Sequence, residues 1–127
     1  MLHPAGTSVW VWETVLETLS QSFTYYAFDM MGHGDSDKPN RQFNIPDYAR
    51  ALDQACQILN IHRTHVVGNS VGAVLAIETT ASFPERQNLL HNNIINSERV
   101  ILPGLGHVPQ VEDPEAFWEP LLPSLKT

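Results

Sequence analysis

One serine in the sequence has neighbours that suit it to nucleophilic catalysis. Ser70 is the centre of Gly68-Asn69-Ser70-Val71-Gly72, a G-x-S-x-G pentapeptide. The run THVV leads into it as a predicted buried strand, and GAVLAIE leads out as a predicted helix, which is the context of a sharp strand-to-helix turn. On such a turn the serine hydroxyl stands above the sheet, and the Val71 amide points to where negative charge would develop. Ser70 is therefore a candidate nucleophile, whereas the alternative is that it only caps the helix.

The two glycines of the pentapeptide have an expected steric role. A side chain at Gly68 or Gly72 would clash with the neighbouring strand or helix, so both positions are predicted to be sites of close backbone approach.

A nucleophilic serine needs a general base, and His107 has the most suitable setting. It lies in the loop PGLGHVPQVED, which contains two glycines and follows the predicted strand RVIL. Three other histidines, His62, His65 and His91, have no motif around them and are expected to be structural.

Alternating helical and strand patterns must position these residues. The run SVWVWETVLETLSQS has Val11, Val15 and Leu19 at helical spacing. FTYYAFD then predicts a strand that ends at Asp29, and MMGHGDSDKPNRQFN predicts a loop. The order helix, strand, helix, strand, helix predicts the α/β class: a small, doubly wound, mostly parallel sheet of four or five strands with helices on both faces.

The helix predicted over PDYARALDQACQIL has a clear start signal. Asn44 is expected to cap it, with Pro46 in its first turn. Its apolar face should consist of Tyr48, Leu52, Cys56 and Leu59. Cys56 is the only cysteine in the sequence, so an internal disulfide is excluded, and the thiol is expected to be buried.

The C-terminal part is less regular. QNLLHNNIINSE is interpreted as a linker or a short irregular strand. The last helix, PEAFWE, is predicted to start at Pro114 behind the cap residue Asp113. It should stop or kink near Glu119, because Pro120 and Pro123 each lack the amide hydrogen that a helix needs.

Three further motifs accompany the pentapeptide: LHPAGTSVWVW at the start, DMMGHGDSDKP after the first predicted strand, and LPGLGHVPQVEDPEAF near the end. In this order, the four motifs resemble the α/β-hydrolase superfamily, most closely its esterase, lactonase and carbon–carbon-bond hydrolase branches. The resemblance covers residues 2–86 and 98–119.

The resemblance implies a serine hydrolase that cleaves an ester, lactone or related acyl bond through an acyl-enzyme. It makes Ser70 the nucleophile and His107 the general base, and it makes the backbone amides of Ala5 and Val71 the oxyanion hole. Pro4 stands where the family more often has a second glycine, which leaves the expected Ala5 donor intact. His33 resembles a loop-shaping residue of the family, and no cofactor is implied.

The chain departs from the family pattern by its length. The cap domain, several sheet strands and the acid of the catalytic triad have no counterpart, so a deletion junction within residues 87–98 of a single domain, 1–127, is expected. Losing two strands would move the histidine loop by roughly 10 Å, since strands lie about 4.8 Å apart. The acid stays unassigned: Asp113 is expected to cap the last helix, while Asn92, Asn93 and Asn96 would orient an imidazole without supplying charge.

These departures leave a second hypothesis open. The chain would then be a catalytically impaired α/β-hydrolase-like scaffold that acts as a binding or oligomerisation module. In either case exposed sheet edges would allow a homo-oligomer.

Composition narrows the partners. The chain has 127 residues, and its formal charge of −7 argues against nucleic acid and anionic membranes. The expected partner is a small acyl substrate, with Trp10, Trp12 and Met31 near the entrance. A signal peptide pattern, an 18-residue apolar run and metal-ligand spacing are all absent from the sequence, which predicts a cytoplasmic protein without a bound metal.

Overall fold

The computed structural model describes residues 1–83 and 102–126. A 3₁₀ turn, Val9–Trp12, runs directly into helix α1, Glu13–Ser20. Two longer helices follow, α2 (Ile45–Ile58) and α3 (Val71–Ser82). The helices predicted around these three ranges are confirmed to within a few residues at their ends.

Residues 102–126 contain three short helices: α4 (Pro109–Glu112), α5 (Pro114–Trp118) and α6 (Leu122–Leu125). Helix α5 begins and ends as predicted, and the Asp113 carboxylate caps it by accepting the Ala116 amide hydrogen at 3.0 Å. Helix α4 is a correction, because its residues were predicted to be loop. Helix α6 was also missed, and its Pro123 is tolerated because a proline in the first turn removes no helical hydrogen bond.

Three extended segments, 1–3, 27–29 and 67–69, meet side by side. Leu2 forms parallel bridges to Phe28 and to Gly68, so the first segment lies in the middle. The Leu2 amide donates to the Val67 carbonyl at 2.8 Å, and the Asn69 amide donates to the Leu2 carbonyl at 3.1 Å.

These bridges are isolated, and within 1–83 and 102–126 no strand extends beyond a single bridged residue. The strand predicted over FTYYAFD is therefore reduced to a bridge at Phe28, and the strand predicted over THVV to a bridge at Gly68, one residue beyond it. The sheet of four or five strands stays a prediction, and the expected strand RVIL and the expected junction at 87–98 lie almost entirely outside the described residues.

Successive residues of the extended segments pack to different sides. Leu2 and Phe28 contact a first core, which is built with α2 and α3. Their neighbours Met1 and Ala27 contact a second core, which is built with α1 and α5. Because side chains alternate across an extended segment, the two groups of helices cover opposite faces of the three segments.

The cap and the buried face of α2 largely follow the prediction. Asn44 and Asp47 form a reciprocal capping box: the Asn44 side chain accepts from the Asp47 amide at 2.9 Å, and the Asp47 carboxylate accepts from the Asn44 amide at 3.0 Å. Leu52 and Cys56 are buried. Leu59 was wrongly placed on this face, because the helix ends before it and its side chain is 44% exposed.

No helix in the described part of the chain combines the length and the apolar character needed to cross a membrane.

Candidate active site

The turn before α3 holds Ser70 in an unusual backbone conformation. Its φ is 55° and its ψ is −119°, a region that non-glycine residues rarely adopt and that costs on the order of 1–3 kcal/mol. Ser70 is exposed, and its side chain makes no capping hydrogen bond to α3. The alternative interpretation of Ser70 as a helix cap is therefore not supported.

The two glycines around Ser70 are sites of close backbone approach, as predicted. A Cβ atom on Gly72 would lie 2.9 Å from the His3 carbonyl oxygen and closer still to that of Leu2. A Cβ atom on Gly68 would lie 2.6 Å from the Ala73 nitrogen and closer still to the Gly72 carbonyl. Larger residues would push α3 away from the extended segments.

The two backbone amides expected to form an oxyanion hole have no acceptor among the described residues. In the first turn of α3, the Gly72 amide donates to Asn69 and the Ala73 amide donates to Ser70, both at 2.9 Å. The Val71 amide, one residue earlier, is left without a partner there. The Ala5 amide is likewise unpaired, in an exposed turn that follows the middle extended segment.

The side chain of His3 contacts the backbone next to the Ala5 turn. Its side chain is fully buried, its Nδ1 lies 2.8 Å from the Pro4 carbonyl oxygen, and its Nε2 accepts the Met30 amide hydrogen at 3.0 Å. These partners require a neutral ring with its proton on Nδ1. Burial lowers the pKa of His3, which favours the same neutral form.

Asp29 joins the same turn to the loop that follows the second extended segment. Its carboxylate accepts the Val9 amide hydrogen at 2.7 Å and the Asp35 amide hydrogen at 2.9 Å. Partial burial acts to raise the pKa of this carboxyl, but the hydrogen bonds from Asp35 and Val9 outweigh it and hold the pKa below its usual value. A Cβ atom on Gly34 would overlap the carboxylate, so the loop passes directly over Asp29.

His33 packs against this network. Its ring centroid lies 5.3 Å from that of His3, and its Nδ1 lies 3.3 Å from the Met31 carbonyl oxygen. These contacts suit the loop-shaping role that was expected of His33.

The structure brings the His107 loop beside the Ser70 turn. The side-chain amide of Asn69 donates from Nδ2 to the His107 carbonyl at 3.0 Å. The His107 side chain is exposed, and no hydrogen bond joins its imidazole to the Ser70 hydroxyl. Missing strands were expected to move this loop by about two strand widths. Its backbone nevertheless lies in hydrogen-bond contact with the residue before the candidate nucleophile.

Glu112 shapes the loop around His107. Its carboxylate accepts the Gly106 amide hydrogen at 2.6 Å and the Val108 amide hydrogen at 3.1 Å. One carboxylate thus holds the residues on both sides of the candidate base. Sequence reasoning missed Glu112 and Asn69, although each is a polar residue close in sequence to a candidate catalytic residue.

No acid for a triad emerges from the described residues. Asp113 caps α5 as expected, Glu112 binds backbone amides, and no carboxylate there forms an ion pair with His107. Asn92, Asn93 and Asn96 lie outside the described ranges. No group of three or more metal-ligating side chains occurs in the described part of the chain.

The three residues expected near the entrance of the site differ in their exposure. Trp12 is fully buried in the second core, so its proposed place at the entrance is wrong. Trp10 is 51% exposed, and Met31 is half-buried.

A cavity of about 220 Å³ lies at the other end of the extended segments, with Tyr26, Thr64 and Val66 in its wall. Neither Ser70 nor His107 lines this cavity.

Comparison with known proteins bears on both fold and chemistry. A family model described as alpha/beta hydrolase fold matches residues 1–88. The chain is 39% identical over 85 residues to a 2-(acetamidomethylene)succinate hydrolase of Mesorhizobium japonicum, a match that covers 65% of this chain and 30% of the relative. It is 27% identical over 133 residues to a 2-hydroxy-6-oxo-2,4-heptadienoate hydrolase of Pseudomonas putida, over 99% of this chain and 45% of the relative.

Among solved structures, a meta-cleavage product hydrolase from Pseudomonas fluorescens superimposes with a TM-score of 0.65 at 29% identity. That match covers 68% of this chain and 33% of the other. The chain therefore spans less than half the length of each of these proteins.

Proposed function

Because the chain belongs to the alpha/beta hydrolase fold family, we propose that it is a serine hydrolase in which Ser70 attacks the carbonyl of an ester, lactone or related acyl substrate. The Ser70 turn carries the proposal. It presents an exposed hydroxyl on a strained residue, without a capping bond, at the N-terminus of α3. The positive end of the helix dipole favours a developing negative charge there.

The proposed reaction has two stages. In the first, the Ser70 Oγ forms a bond to the carbonyl carbon while the His107 imidazole takes the hydroxyl proton, and the amides of Ala5 and Val71 donate to the resulting oxyanion. The proton then passes to the leaving alcohol as its bond to carbon breaks. In the second, a water molecule attacks the carbonyl carbon of the acyl-enzyme and gives a proton to His107. The bond from this carbon to the Ser70 Oγ then breaks, the Oγ takes the proton back from His107, and the acid is released.

The absence of a Ser70–His107 hydrogen bond is compatible with this role. Catalytic hydrogen bonds are often long before substrate binds and tighten in the complex. The exposed His107 side chain lies on a loop whose backbone is already held beside the Ser70 turn. The proposed role requires the imidazole to come within hydrogen-bond distance of the hydroxyl when substrate binds.

A fluorophosphonate probe tests the proposal, because it labels activated serines without requiring the true substrate. We expect one label per chain, mapped to Ser70 by peptide analysis, and loss of labelling in Ser70→Ala and His107→Ala. Ser82→Ala is the matched control, since Ser82 is exposed at the end of α3 and should leave labelling unchanged. A folded protein that takes up no label would overturn the proposal.

A second candidate function is a catalytically impaired scaffold that serves as a binding or oligomerisation module. Two observations favour it: Ser70 and His107 share no hydrogen bond, and no carboxylate in the described residues pairs with His107. This candidate predicts an unlabelled protein that nevertheless self-associates, which sedimentation velocity over a range of concentrations would detect. A monomer that is labelled at Ser70 contradicts it.

A further inference from the structure

We propose that Asn69, the residue before the candidate nucleophile, positions the His107 loop relative to Ser70. The inference rests on the proposed function and extends it to a residue with no assigned chemical role. Its basis is the hydrogen bond from Asn69 Nδ2 to the His107 carbonyl, which spans 38 positions of the sequence at 3.0 Å.

The backbone of Asn69 is a firm anchor for such a contact. Its amide donates to the Leu2 carbonyl at 3.1 Å, and its carbonyl accepts the Gly72 amide hydrogen at 2.9 Å. The residue is thereby fixed to the middle extended segment and to the first turn of α3. Its side chain leaves a rigid part of the molecule, immediately before the strained Ser70.

The side-chain amide of Asn69 depends on His107 for its orientation. Its Oδ1 is buried and has no hydrogen-bond partner among the described residues. Turning the amide over would place this oxygen against the His107 carbonyl, where two acceptors repel each other. The orientation with Nδ2 toward the carbonyl is therefore strongly preferred.

The His107 loop is held at its other end by different contacts. The Thr14 hydroxyl donates to the Gln110 carbonyl at 2.8 Å and so fastens α4 to α1. Glu112 binds the amides of Gly106 and Val108, which sets the internal shape of the loop. Neither contact touches the Ser70 turn, so within residues 1–83 and 102–126 the hydrogen bond from Asn69 is the polar contact that relates the loop to the candidate nucleophile.

This arrangement makes Asn69 a positioning residue that acts through His107. Without its hydrogen bond, the loop loses its tie to the Ser70 turn, so it samples more positions relative to Ser70 and its amide hydrogen bonds to Glu112 open more often. Small displacements of a catalytic group have large effects on rate. The maximal rate should therefore fall, while the affinity for substrate or probe should change little.

Asn69→Asp is the sharpest test, because it keeps the size of the side chain and replaces the donor by a carboxylate oxygen that repels the His107 carbonyl. Asn40→Asp is the matched control, since it makes the same chemical change on an exposed loop residue. Two measurements are made on the full chain. One is amide hydrogen exchange of the segment 102–108, and the other is the rate of fluorophosphonate labelling as a function of probe concentration.

We expect Asn69→Asp to accelerate exchange in 102–108 about fivefold, as loss of a hydrogen bond worth about 1 kcal/mol implies. It should leave exchange in α3 unchanged. The maximal labelling rate should fall at least about tenfold, at an unchanged half-saturating probe concentration. In the double variant with His107→Ala, exchange in 102–108 should be as fast as in Asn69→Asp alone, because Asn69 contacts the backbone carbonyl at position 107 and not the side chain. Asn40→Asp should match the parent protein throughout.

Unchanged exchange in 102–108 would overturn the inference, as would unchanged labelling in a variant whose loop exchanges faster. A parent protein that takes up no label overturns the proposed function instead. The exchange measurement then still decides whether Asn69 holds the loop, so the two failures are distinguishable.

Discussion

At the scale of the residue, Ser70 combines exposure with backbone strain. Its φ of 55° and ψ of −119° fall in a region that glycine adopts with little penalty and serine does not. Fold stability alone would favour glycine at this position. A strained serine without a capping bond is therefore better explained by the hydroxyl that it presents than by the helix that it precedes.

We expect Ser70→Gly to be about 1 kcal/mol more stable than Ser70→Ala, because glycine relieves the strain at the cost of some backbone entropy in the unfolded chain. Both variants should lose fluorophosphonate labelling. Urea denaturation measures the free energy of unfolding. Ser82→Gly should behave in the opposite way and be no more stable than Ser82→Ala, since Ser82 is the last residue of α3 and glycine is a poorer helix former than alanine. Equal stability of the glycine and alanine variants at position 70 would show that the turn carries no strain.

At the scale of the element, the ends of α2 are defined by side-chain and backbone chemistry. The capping box of Asn44 and Asp47 satisfies amide hydrogens at the start, and Arg50 adds an ion pair to Asp47 at 2.5 Å on the surface. At the other end Asn60 adopts a φ of 55°, a conformation that asparagine tolerates better than most residues. These signals are local, which is why the start of α2 was predictable.

Replacing Asn44 by alanine should lower the free energy of unfolding by about 1 kcal/mol, because the Asp47 amide loses its acceptor. Asn40→Ala provides the comparison, since Asn40 is exposed in the preceding loop and its loss should change stability by less than about 0.5 kcal/mol. Thermal denaturation of both variants decides the matter. A similar loss in the two variants would mean that the cap contributes nothing specific.

At the scale of the whole molecule, the candidate site lies where the order of the extended segments in space differs from their order along the chain. The first extended segment lies between the second and the third. The helix that follows it, α1, packs on the face opposite α2 and α3, which follow its neighbours. In open α/β structures the crevice at such a switch point is where ligands bind. The Ala5 turn and the Ser70 turn leave adjacent segments at this crevice.

The buried His3 should make the stability of the whole fold pH-dependent. Its pKa is lowered from 6.5, so the unfolded chain binds a proton that the folded chain resists. Well above pH 6.5, His3 is neutral in both states and does not make stability depend on pH. Below pH 6.5 the unfolded chain takes up the proton first, so the free energy of unfolding falls as the pH drops toward the pKa of His3 in the folded state. Asp29, whose pKa is lowered from 3.8, adds a further loss below pH 3.8.

Urea denaturation between pH 8 and pH 5 tests this dependence. His65 also has a pKa lowered by burial and by Arg63, so its contribution to the pH dependence of stability must be removed first. His65→Asn should keep a clear loss of stability on acidification, because His3 and the amino group of Met1, whose pKa burial lowers to about 5, are both still present. A flat profile in that variant would show that His3 does not resist protonation in the folded state.

Much of the local structure was predictable because its causes are local. Helical spacing located α1 and α2, and the run that leads out of the pentapeptide located α3. The Asn44 signal located one helix start, and Asp113 and Pro114 located another. The extended segments were predicted too long, because strand patterns report burial rather than pairing. Helix α4 was missed because a four-residue helix has too few positions to show a period.

What the sequence by itself determined is the chemistry that the chain carries: a serine between two glycines, a histidine in a glycine-containing loop, and the order of motifs that indicates the α/β-hydrolase superfamily. These properties follow from residue types and their neighbours. Only the tertiary structure decided that the Ser70 side chain does not cap α3, that Trp12 is buried, and that Asn69 and Glu112 hold the His107 loop. The physical reason is that a contact between positions 69 and 107 depends on how distant segments pack, and no local pattern of residues encodes that distance.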